Sequence, residues 1–303
     1  MRVKVLGSAA GGGFPQWNCG CANCVRVRQA SGTSMPRTQA QAAVTADDES
    51  WFLLNASPDL RQQILATPEF APVAGERGSP ISGAVLTSAD VDAVVGLLHL
   101  REFHPLRVYC TSGVRRILTE TNSMFRVLER SKPPVQWLDI APGTKTPLGE
   151  SGLSCTAVPL DGAYPDYVDE MLRKTVPPGE ALIGLLIECG GKKMFFAPGL
   201  PGKSSAWKAT AAESDLVLLD STFWSDDELV VIRGGGKGAR EMGHPPLSGA
   251  GGLLEELQHE TRARKVAIHI NNTNPILDEK SAEHRQMREA GWEIARDGME
   301  FVL

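Results

Sequence analysis

Cys19, Cys21 and Cys24 lie within one short loop near the start of the chain. The spacing C-x-C-x-x-C offers three soft thiolates, which suit a tetrahedral zinc ion if a fourth ligand comes from elsewhere in the chain. Because no coordination position is obviously left open, the pattern predicts a structural zinc that holds a long glycine-rich loop together. A redox or catalytic cysteine is the alternative interpretation. The clustering favours metal binding over disulfides in a reducing compartment.

Acidic residues and histidines form a second set of candidate metal ligands, because each lies at or near the end of a predicted strand or loop. In layered α/β proteins the carboxyl ends of the strands form the edge at which ligands usually bind. Asp and His side chains brought there by several strands suit Fe(II), Mn(II) or Zn(II), with coordination positions left for water or substrate. The candidates are Asp90, Asp92, Asp220, His244 and His269.

Helix capping is the competing interpretation of Asp90 and Asp92. An Asp just before a helix usually binds free backbone N–H groups or the positive end of the helix dipole. On these two residues alone capping is favoured over metal binding, and a single His at a strand end is more often structural. The additional Asp and His residues at equivalent places favour the metal site.

The elements that must position these side chains follow from hydrophobic periodicity, which predicts an α/β chain with two strand-rich halves. The segment 83–98 is predicted as strand, turn and helix, and 161–179 as a polar excursion that forms a lid or a substrate wall or is merely an insertion. Predicted strands cover 3–6, 41–46, 51–55, 107–110, 135–138, 153–158, 183–189, 193–197, 216–220 and 266–270, and predicted helices cover 113–129, 247–259 and 281–290. Residues 292–295 and 299–302 are predicted to close the chain as a hairpin.

Composition excludes several function classes. The 303 residues, 42% of them hydrophobic, suffice for one large domain or two small ones without disulfides. The net charge is −5 with both signs mixed along the chain, so no nucleic-acid footprint is expected. No apolar run approaches the length of a membrane span, and the N-terminal run is too short for a signal peptide. The cytoplasm is therefore the expected compartment.

One motif resembles a known superfamily. Residues 87–96 read T-S-A-D-V-D-A-V-V-G, which is similar to the signature T-H-x-H-x-D-H-x-x-G of the metallo-β-lactamase superfamily. Thr87, Asp92 and Gly96 match that signature. Its histidines are replaced in this chain by Ser88, Asp90 and Ala93.

A longer series of motifs resembles one family within that superfamily, that of coenzyme PQQ synthesis protein B. These motifs are G-S-A-A-G-G-G-F-P-Q-W-N-C-G-C-A-N-C, L-N-A-S-P-D-L-R-Q-Q-I, F-F-A-P-G-L, D-S-T-F-W-S-D-D-E, M-G-H and H-I-N-N-T-N-P-I-L. The resemblance implies one four-layer αβ/βα sandwich over residues 1–303, with a zinc loop on Cys19, Cys21 and Cys24 that supports a homodimer. It also implies a cytoplasmic role in making pyrroloquinoline quinone (PQQ).

The departures from the family pattern bear on the metal sites. The family usually keeps a His directly after the signature Asp, where this chain has Ala93, and hydrolases of the superfamily place a bridging acid where Pro198 and its neighbours stand. These losses argue against a dinuclear zinc hydrolase. Related proteins with the same cysteine triplet supply a His at the position of Asn272, a poor zinc ligand, so water or a neighbouring group would complete the shell.

The resemblance therefore implies an iron-dependent oxygenase that hydroxylates the tyrosine ring of a cross-linked Glu-Tyr intermediate, a small-molecule substrate. Asp90, Asp92 and His269 would hold Fe(II), an arrangement close to the facial ligand set of non-haem iron oxygenases. His244 and Asp220 would support these ligands or contact the substrate. A metal-dependent hydrolase and a non-catalytic carrier of PQQ are the alternatives.

Overall fold

Fourteen strands form two seven-stranded sheets in the computed structural model. The structure describes residues 1–30, 32, 34–72, 74–75, 77–102, 104–120, 122–130, 132–201, 206–260 and 262–303. In chain order the strands are β1 Arg2–Gly7, β2 Gln41–Thr45, β3 Trp51–Leu54, β4 Ile81–Val85, β5 Arg107–Cys110, β6 Gln136–Asp139, β7 Lys145–Pro147, β8 Ser154–Pro159, β9 Ile183–Cys189, β10 Lys192–Ala197, β11 Leu216–Asp220, β12 Arg264–Ile268, β13 Trp292–Ile294 and β14 Glu300–Val302. The first sheet has the order β14-β1-β2-β3-β4-β5-β6, and the second β13-β12-β11-β10-β9-β8-β7.

Short helices connect the strands and cover the outer faces of the sheets. They are α1 Ala22–Arg28, α2 Leu60–Leu65, α3 Val91–Val94, α4 Ser112–Thr119, α5 Glu170–Thr175, α6 Pro178–Ala181, α7 Ala206–Glu213, α8 Glu228–Arg233, α9 Leu253–Glu256 and α10 Ala282–Glu289. Single 3₁₀ segments occupy Pro68–Phe70, Val95–Arg101, Ser123–Arg130, Arg240–Met242 and Pro275–Leu277. No helix in the described ranges is long and apolar enough to cross a membrane.

The core has three apolar layers, and the alternation of side chains along each strand sorts residues between them. Phe196 points between the two sheets, where it lies in one cluster with Val5 and Phe52 of the first sheet. Its neighbour Phe195 points outward and packs in the cluster that contains Ala211 of α7 and Met287 of α10. The outer face of the first sheet packs against α2, α3 and α4 in the same way. The predicted four-layer αβ/βα sandwich is thereby confirmed.

Parallel pairing brings the candidate residues to a common edge of the two sheets. β3, β4, β5 and β6 run parallel in the first sheet, and β10, β11, β12 and β13 run parallel in the second. The carboxyl ends of β4, β11 and β12 therefore open into the loops that carry the Asp and His candidates.

Three predicted elements are wrong in detail. Residues 292–295 and 299–302 do not form a hairpin, because β13 pairs with β12 in the second sheet and β14 pairs with β1 in the first. The predicted helix 247–259 shrinks to α9, since Gly249 and Gly251 adopt φ of +81° and +64°. The predicted helix 113–129 ends early at α4, and a 3₁₀ segment replaces its second half.

Candidate functional site

The turn after β4 is held in place by the strand beside it. Asn55, with φ of +66°, follows β3 and accepts hydrogen bonds from Thr87 N at 2.9 Å and Thr87 Oγ1 at 3.0 Å. Gly96 lies so close to this segment that a Cβ atom there would be 2.2 Å from Ser57 O. The turn that carries the acids is thus fixed to the sheet on both sides, and Gly96 admits no side chain.

Asp90 occupies the N-cap position of α3 but does not cap it. Its side chain makes no hydrogen bond to the helix N-terminus and instead accepts one from Ser88 Oγ at 2.7 Å. Burial, together with the charge of Asp92, raises the pKa of Asp90 above its ordinary value. The Asp90 carboxylate therefore does not cap the helix, which was the competing interpretation. Its side chain faces the cleft instead.

Asp92 and His269 come into direct contact although 177 residues separate them: His269 Nε2 lies 2.9 Å from Asp92 Oδ2. Although burial works against both charges, the hydrogen bond between the two side chains lowers the pKa of Asp92 and raises that of His269. On its other side, His269 Nδ1 lies 2.8 Å from Thr222 Oγ1. The imidazole is thus held at both nitrogens.

The backbone at His269 is also constrained. His269 adopts φ of +58°, a conformation that costs a non-glycine residue on the order of 1–3 kcal/mol. The next residue, Ile270, donates to Ser8 O at 3.0 Å and accepts from Ala10 N at 2.9 Å, so the glycine-rich loop after β1 holds this turn. The strained backbone directs the imidazole away from the end of β12 and toward Asp92.

Asp220 and His244 form a second pair next to His269. Asp220 is fully buried at the end of β11 and accepts hydrogen bonds from Leu200 N, Thr222 N, Thr222 Oγ1 and His244 Nδ1, the last at 2.6 Å. Although burial opposes it, the adjacent His244 lowers the pKa of Asp220. Because the chain already supplies four donors to its two oxygens, Asp220 is suited to orienting His244 and Thr222.

These residues line a cleft of about 300 Å³ at the edge of the sheets. Asp90, Asp92, His244 and His269 all contribute to its surface, whereas Asp220 lies behind it. The excursion 161–179 forms one wall, in which Tyr164 lines the cleft. Tyr167 donates its hydroxyl to Ala89 O, beside Asp90, and burial raises its pKa to about 12. The excursion, predicted as a lid, a wall or a plain insertion, is a wall of this cleft.

Thr222 and Ser88 are polar residues at the site that were not predicted from the sequence. Thr222 contacts Asp220, His244 and His269, and Ser88 contacts Asp90. Each lies two residues from an acidic candidate, and the same spacing gives a hydroxyl–carboxylate hydrogen bond between Thr45 and Asp47 and between Ser225 and Asp227. That local signal was present in the sequence, but it does not distinguish a site from an ordinary turn.

The donor set of the cleft fits one divalent cation. The 2.9 Å between Asp92 Oδ2 and His269 Nε2 is close to the ~3 Å expected of two adjacent ligands that each lie about 2.1 Å from one ion. His269 Nε2 is hydrogen-bonded to Asp92, and a metal would take the place of that proton while Nδ1 keeps its contact with Thr222 Oγ1, the usual arrangement of a ligating His. Asp90 lines the same cleft, but the group whose ligand atoms all lie within 4.8 Å of one another is Asp220, His244 and His269.

The three loop cysteines converge as a separate cluster. The Sγ atoms of Cys19, Cys21 and Cys24 lie within 4.8 Å of one another, comparable with the ~3.8 Å between sulfurs of a tetrahedral zinc site. The amide of Asn272 faces all three, with Nδ2 3.1 Å from Cys19 Sγ and 3.4 Å from Cys24 Sγ. Burial raises the pKa of Cys24 to about 11, a cost that a bound cation would remove. The sulfur positions fit zinc, and Asn272 occupies the fourth side.

Glu228 lies near the two sites and predicts a pH dependence of stability. Burial raises its pKa from 4.5 to about 7, although Thr273 Oγ1 and Trp224 N both donate to the carboxylate. Between these pH values the folded chain holds a proton that the unfolded chain has lost, so the free energy of unfolding falls as pH rises through this window. The loss amounts to on the order of 3 kcal/mol.

We therefore expect Glu228→Gln to remove this part of the pH dependence and to stabilise the protein above pH 7. Urea unfolding at several pH values measures the effect, with the exposed Glu289→Gln as the matched control. The prediction fails if Glu228→Gln and wild type lose stability in parallel as the pH rises.

Comparisons with known proteins identify the family and the fold. A family model described as a beta-lactamase superfamily domain matches residues 50–270. The coenzyme PQQ synthesis protein B of Azoarcus sp. (strain BH72) is 43% identical, with all of both chains covered. The crystal structure of Zn(2+)-bound PqqB from Methylobacterium extorquens superposes with a TM-score of 0.91 at 39% identity, again over both whole chains.

A more distant structure shows how far the fold extends. A diphosphatase from the PhnP family superposes with a TM-score of 0.67 at 18% identity, covering all of this chain and 97% of that one. At that identity only the fold is shared. The full-length relatives and the family model together show that the chain belongs to the coenzyme PQQ synthesis protein B family of the metallo-β-lactamase superfamily.

Proposed function

We propose that the protein is a non-haem iron oxygenase of PQQ biosynthesis that hydroxylates the tyrosine ring of the cross-linked Glu-Tyr intermediate. Asp90, Asp92 and His269 are the proposed ligands of a single Fe(II). The observation that carries the proposal is the pairing of Asp92 with His269 in a cleft that two carboxylates and two imidazoles line. Fe(II) held by such ligands supplies the activation of O₂.

The residues around this pair support one metal rather than two. Ser88 and Ala93 replace signature histidines, and Ala197-Pro198-Gly199 follows β10 in place of the bridging acid of the hydrolases. Asp220, which also lies close to His269, already accepts four hydrogen bonds from the chain. Asp220, His244 and His269 also bring three ligand atoms within 4.8 Å of one another, and the one-metal proposal assigns Asp220 and His244 to orientation instead.

The other residues of the cleft have roles in orientation and proton handling. Thr222 fixes the His269 ring, and Asp220 fixes His244 through Nδ1, so His244 Nε2 is available to the substrate. An imidazole held this way can bind a substrate carboxylate or move a proton at the ring hydroxyl. Tyr164, on the wall made by the excursion, offers an aromatic face against which a substrate ring can pack.

Anaerobic reconstitution tests the proposal. Protein loaded with Fe(II) is mixed with the Glu-Tyr intermediate and a two-electron reductant such as ascorbate, and O₂ is then admitted. Each turnover consumes one O₂ and two electrons and yields one ring hydroxyl and one water. We expect mass increases of one oxygen atom with label from ¹⁸O₂; no ring hydroxylation with any divalent metal would overturn the proposal.

The two alternatives give different results in the same protein. A dinuclear hydrolase requires two metal ions per chain in addition to zinc, so metal analysis of a variant without the cysteine triplet should count near two. A carrier of PQQ would bind the finished quinone tightly and turn nothing over. A count of one ion per cleft, together with turnover of the Glu-Tyr intermediate, supports the oxygenase against both the hydrolase and the carrier.

Ala93 gives a prediction specific to this chain. Ala93 is 5% exposed and lines the cleft one residue after Asp92, where the family usually has His. We expect Ala93→His to add a ligand and to raise Fe(II) affinity about tenfold or more. Competition with a chromogenic chelator measures the affinity. Ala93→Phe, of similar size but without a ligand atom, is the control, and an equal change in both variants would contradict the prediction.

A further inference from the structure

A second cavity of about 260 Å³ lies apart from the cleft and shares no lining residue with it. Arg37, in the segment before β2, lines this cavity together with side chains from α10 and from the segment at the end of β13. The remaining lining residues are Glu279, His284, Arg288, Ile294 and Arg296. Three guanidinium groups thus surround one small space that contains a single carboxylate.

Arg37 is the unusual member of this group, because it is only 5% exposed. It donates through Nη1 to Ala295 O and to Ser8 Oγ, whereas its buried Nε has no hydrogen-bond partner. Within the described ranges no carboxylate lies within ion-pair distance of Arg37. A buried cation without a carboxylate within ion-pair distance is costly, and because Arg37 lines the cavity, an anion bound there would offset that cost.

The rim of the cavity adds positive charge. Arg296 lies 3.6 Å from Glu279, an exposed pair that contributes little, and Arg288 is exposed on α10. His284 Nδ1 lies 2.8 Å from Ile276 O, so Nδ1 carries the proton and donates to the carbonyl. The lining thus carries three guanidinium groups and one carboxylate, and its most buried cation, Arg37, is linked to the Asp297 carboxylate only through Ser8 Oγ.

We propose that this cavity binds a small oxyanion, either a phosphate group or a carboxylate group of a small molecule. Guanidinium forks match the oxygen spacing of both anions and form charge-assisted hydrogen bonds with them. The volume admits the anion with a short substituent, since it lies just below the ~300–1,000 Å³ of pockets for larger ligands. The cavity is separate from the metal cleft, so this proposal does not depend on the oxygenase proposal.

Calorimetric titration of the metal-loaded protein with inorganic phosphate, and separately with acetate, tests the proposal. The variants are Arg288→Ala, Arg296→Ala and their combination, which alter only exposed rim residues. We expect saturable binding to wild type, weakened about tenfold for each rim arginine removed. Binding of phosphate alone assigns a phosphate ligand, whereas binding of acetate as well assigns a carboxylate ligand. Any phosphate that binds to the metal in the cleft contributes equally in every variant, so it does not affect the comparison between variants.

Arg285→Ala is the matched control, because Arg285 lies exposed on α10 and does not line the cavity. An equal loss of binding in this variant would assign the effect to diffuse charge and overturn the proposal. Absence of saturable binding of either anion would overturn it as well, as would rim variants that leave anion binding unchanged. Arg37→Lys keeps the charge but removes the guanidinium fork, and it should weaken binding at least as much as either rim variant.

Discussion

Asp92→Asn should abolish iron binding in the cleft and lower ring hydroxylation more than about a hundredfold, while the zinc content stays unchanged. Changes to residues that only support metal ligands already cost about 10–100-fold, so loss of a ligand charge should cost more. The substitution preserves the shape of the side chain, whose Oδ2 lies 2.9 Å from His269 Nε2. Metal analysis and single-turnover assays with the Glu-Tyr intermediate measure the two effects. Iron content and turnover near wild type would contradict the prediction.

Asp90→Asn separates metal binding from a local role at the helix start, because the chain contains a matched control. Asp227 stands before α8 as Asp90 stands before α3, and its carboxylate accepts from Ser225 Oγ at 2.7 Å, the distance from Ser88 Oγ to Asp90. Asp227 is exposed and does not line the cleft. Iron affinity should fall in Asp90→Asn and not in Asp227→Asn; an equal fall in both would remove Asp90 from the ligand set.

Strand positions were predictable because they depend on local hydrophobic patterns. β9 and β11 have the predicted bounds, and the hairpin of β2 and β3 forms as expected. Partner choice was not predictable for β13 and β14, since two short strands joined by a turn satisfy a hairpin pattern equally well when each joins a different sheet. Nothing local in residues 292–302 encodes that choice.

The candidate site was predictable only as a set of residue types. Asp90, Asp92, Asp220 and His269 stand out because each follows a buried strand, yet the contact of Asp92 with His269 depends on the packing of two sheets. The positive φ of His269 and the hydrogen bonds from Thr222 depend on that packing as well. The proposed division between ligands and supporting residues therefore depends on geometry: Asp220 accepts four hydrogen bonds, whereas the side-chain partner of Asp92 is His269.

The zinc loop gives the prediction with the largest effect on stability. Cys24→Ser should release the zinc and lower the free energy of unfolding by on the order of 4 kcal/mol, which corresponds to a fall in Tm of roughly 6 °C. Cys24 is fully buried in the outer core cluster that also contains Ala9 and Ile270. Loss of zinc should therefore also loosen the turn that carries His269. Zinc content and calorimetric Tm are the measurements.

Cys155→Ser is the matched control for this prediction, because Cys155 is equally buried but lies between the two sheets, away from the triplet. It introduces the same buried hydroxyl and should lower the Tm through that hydroxyl alone, with zinc retained. The difference in Tm between the two variants then isolates the contribution of the metal. If a zinc chelator lowers the Tm of wild type to that of Cys24→Ser and leaves Cys24→Ser unchanged, the stabilisation belongs to the ion. Equal Tm values for the two serine variants would mean that the loop holds its position without zinc, through contacts such as the pairing of Ala9 with Ile270.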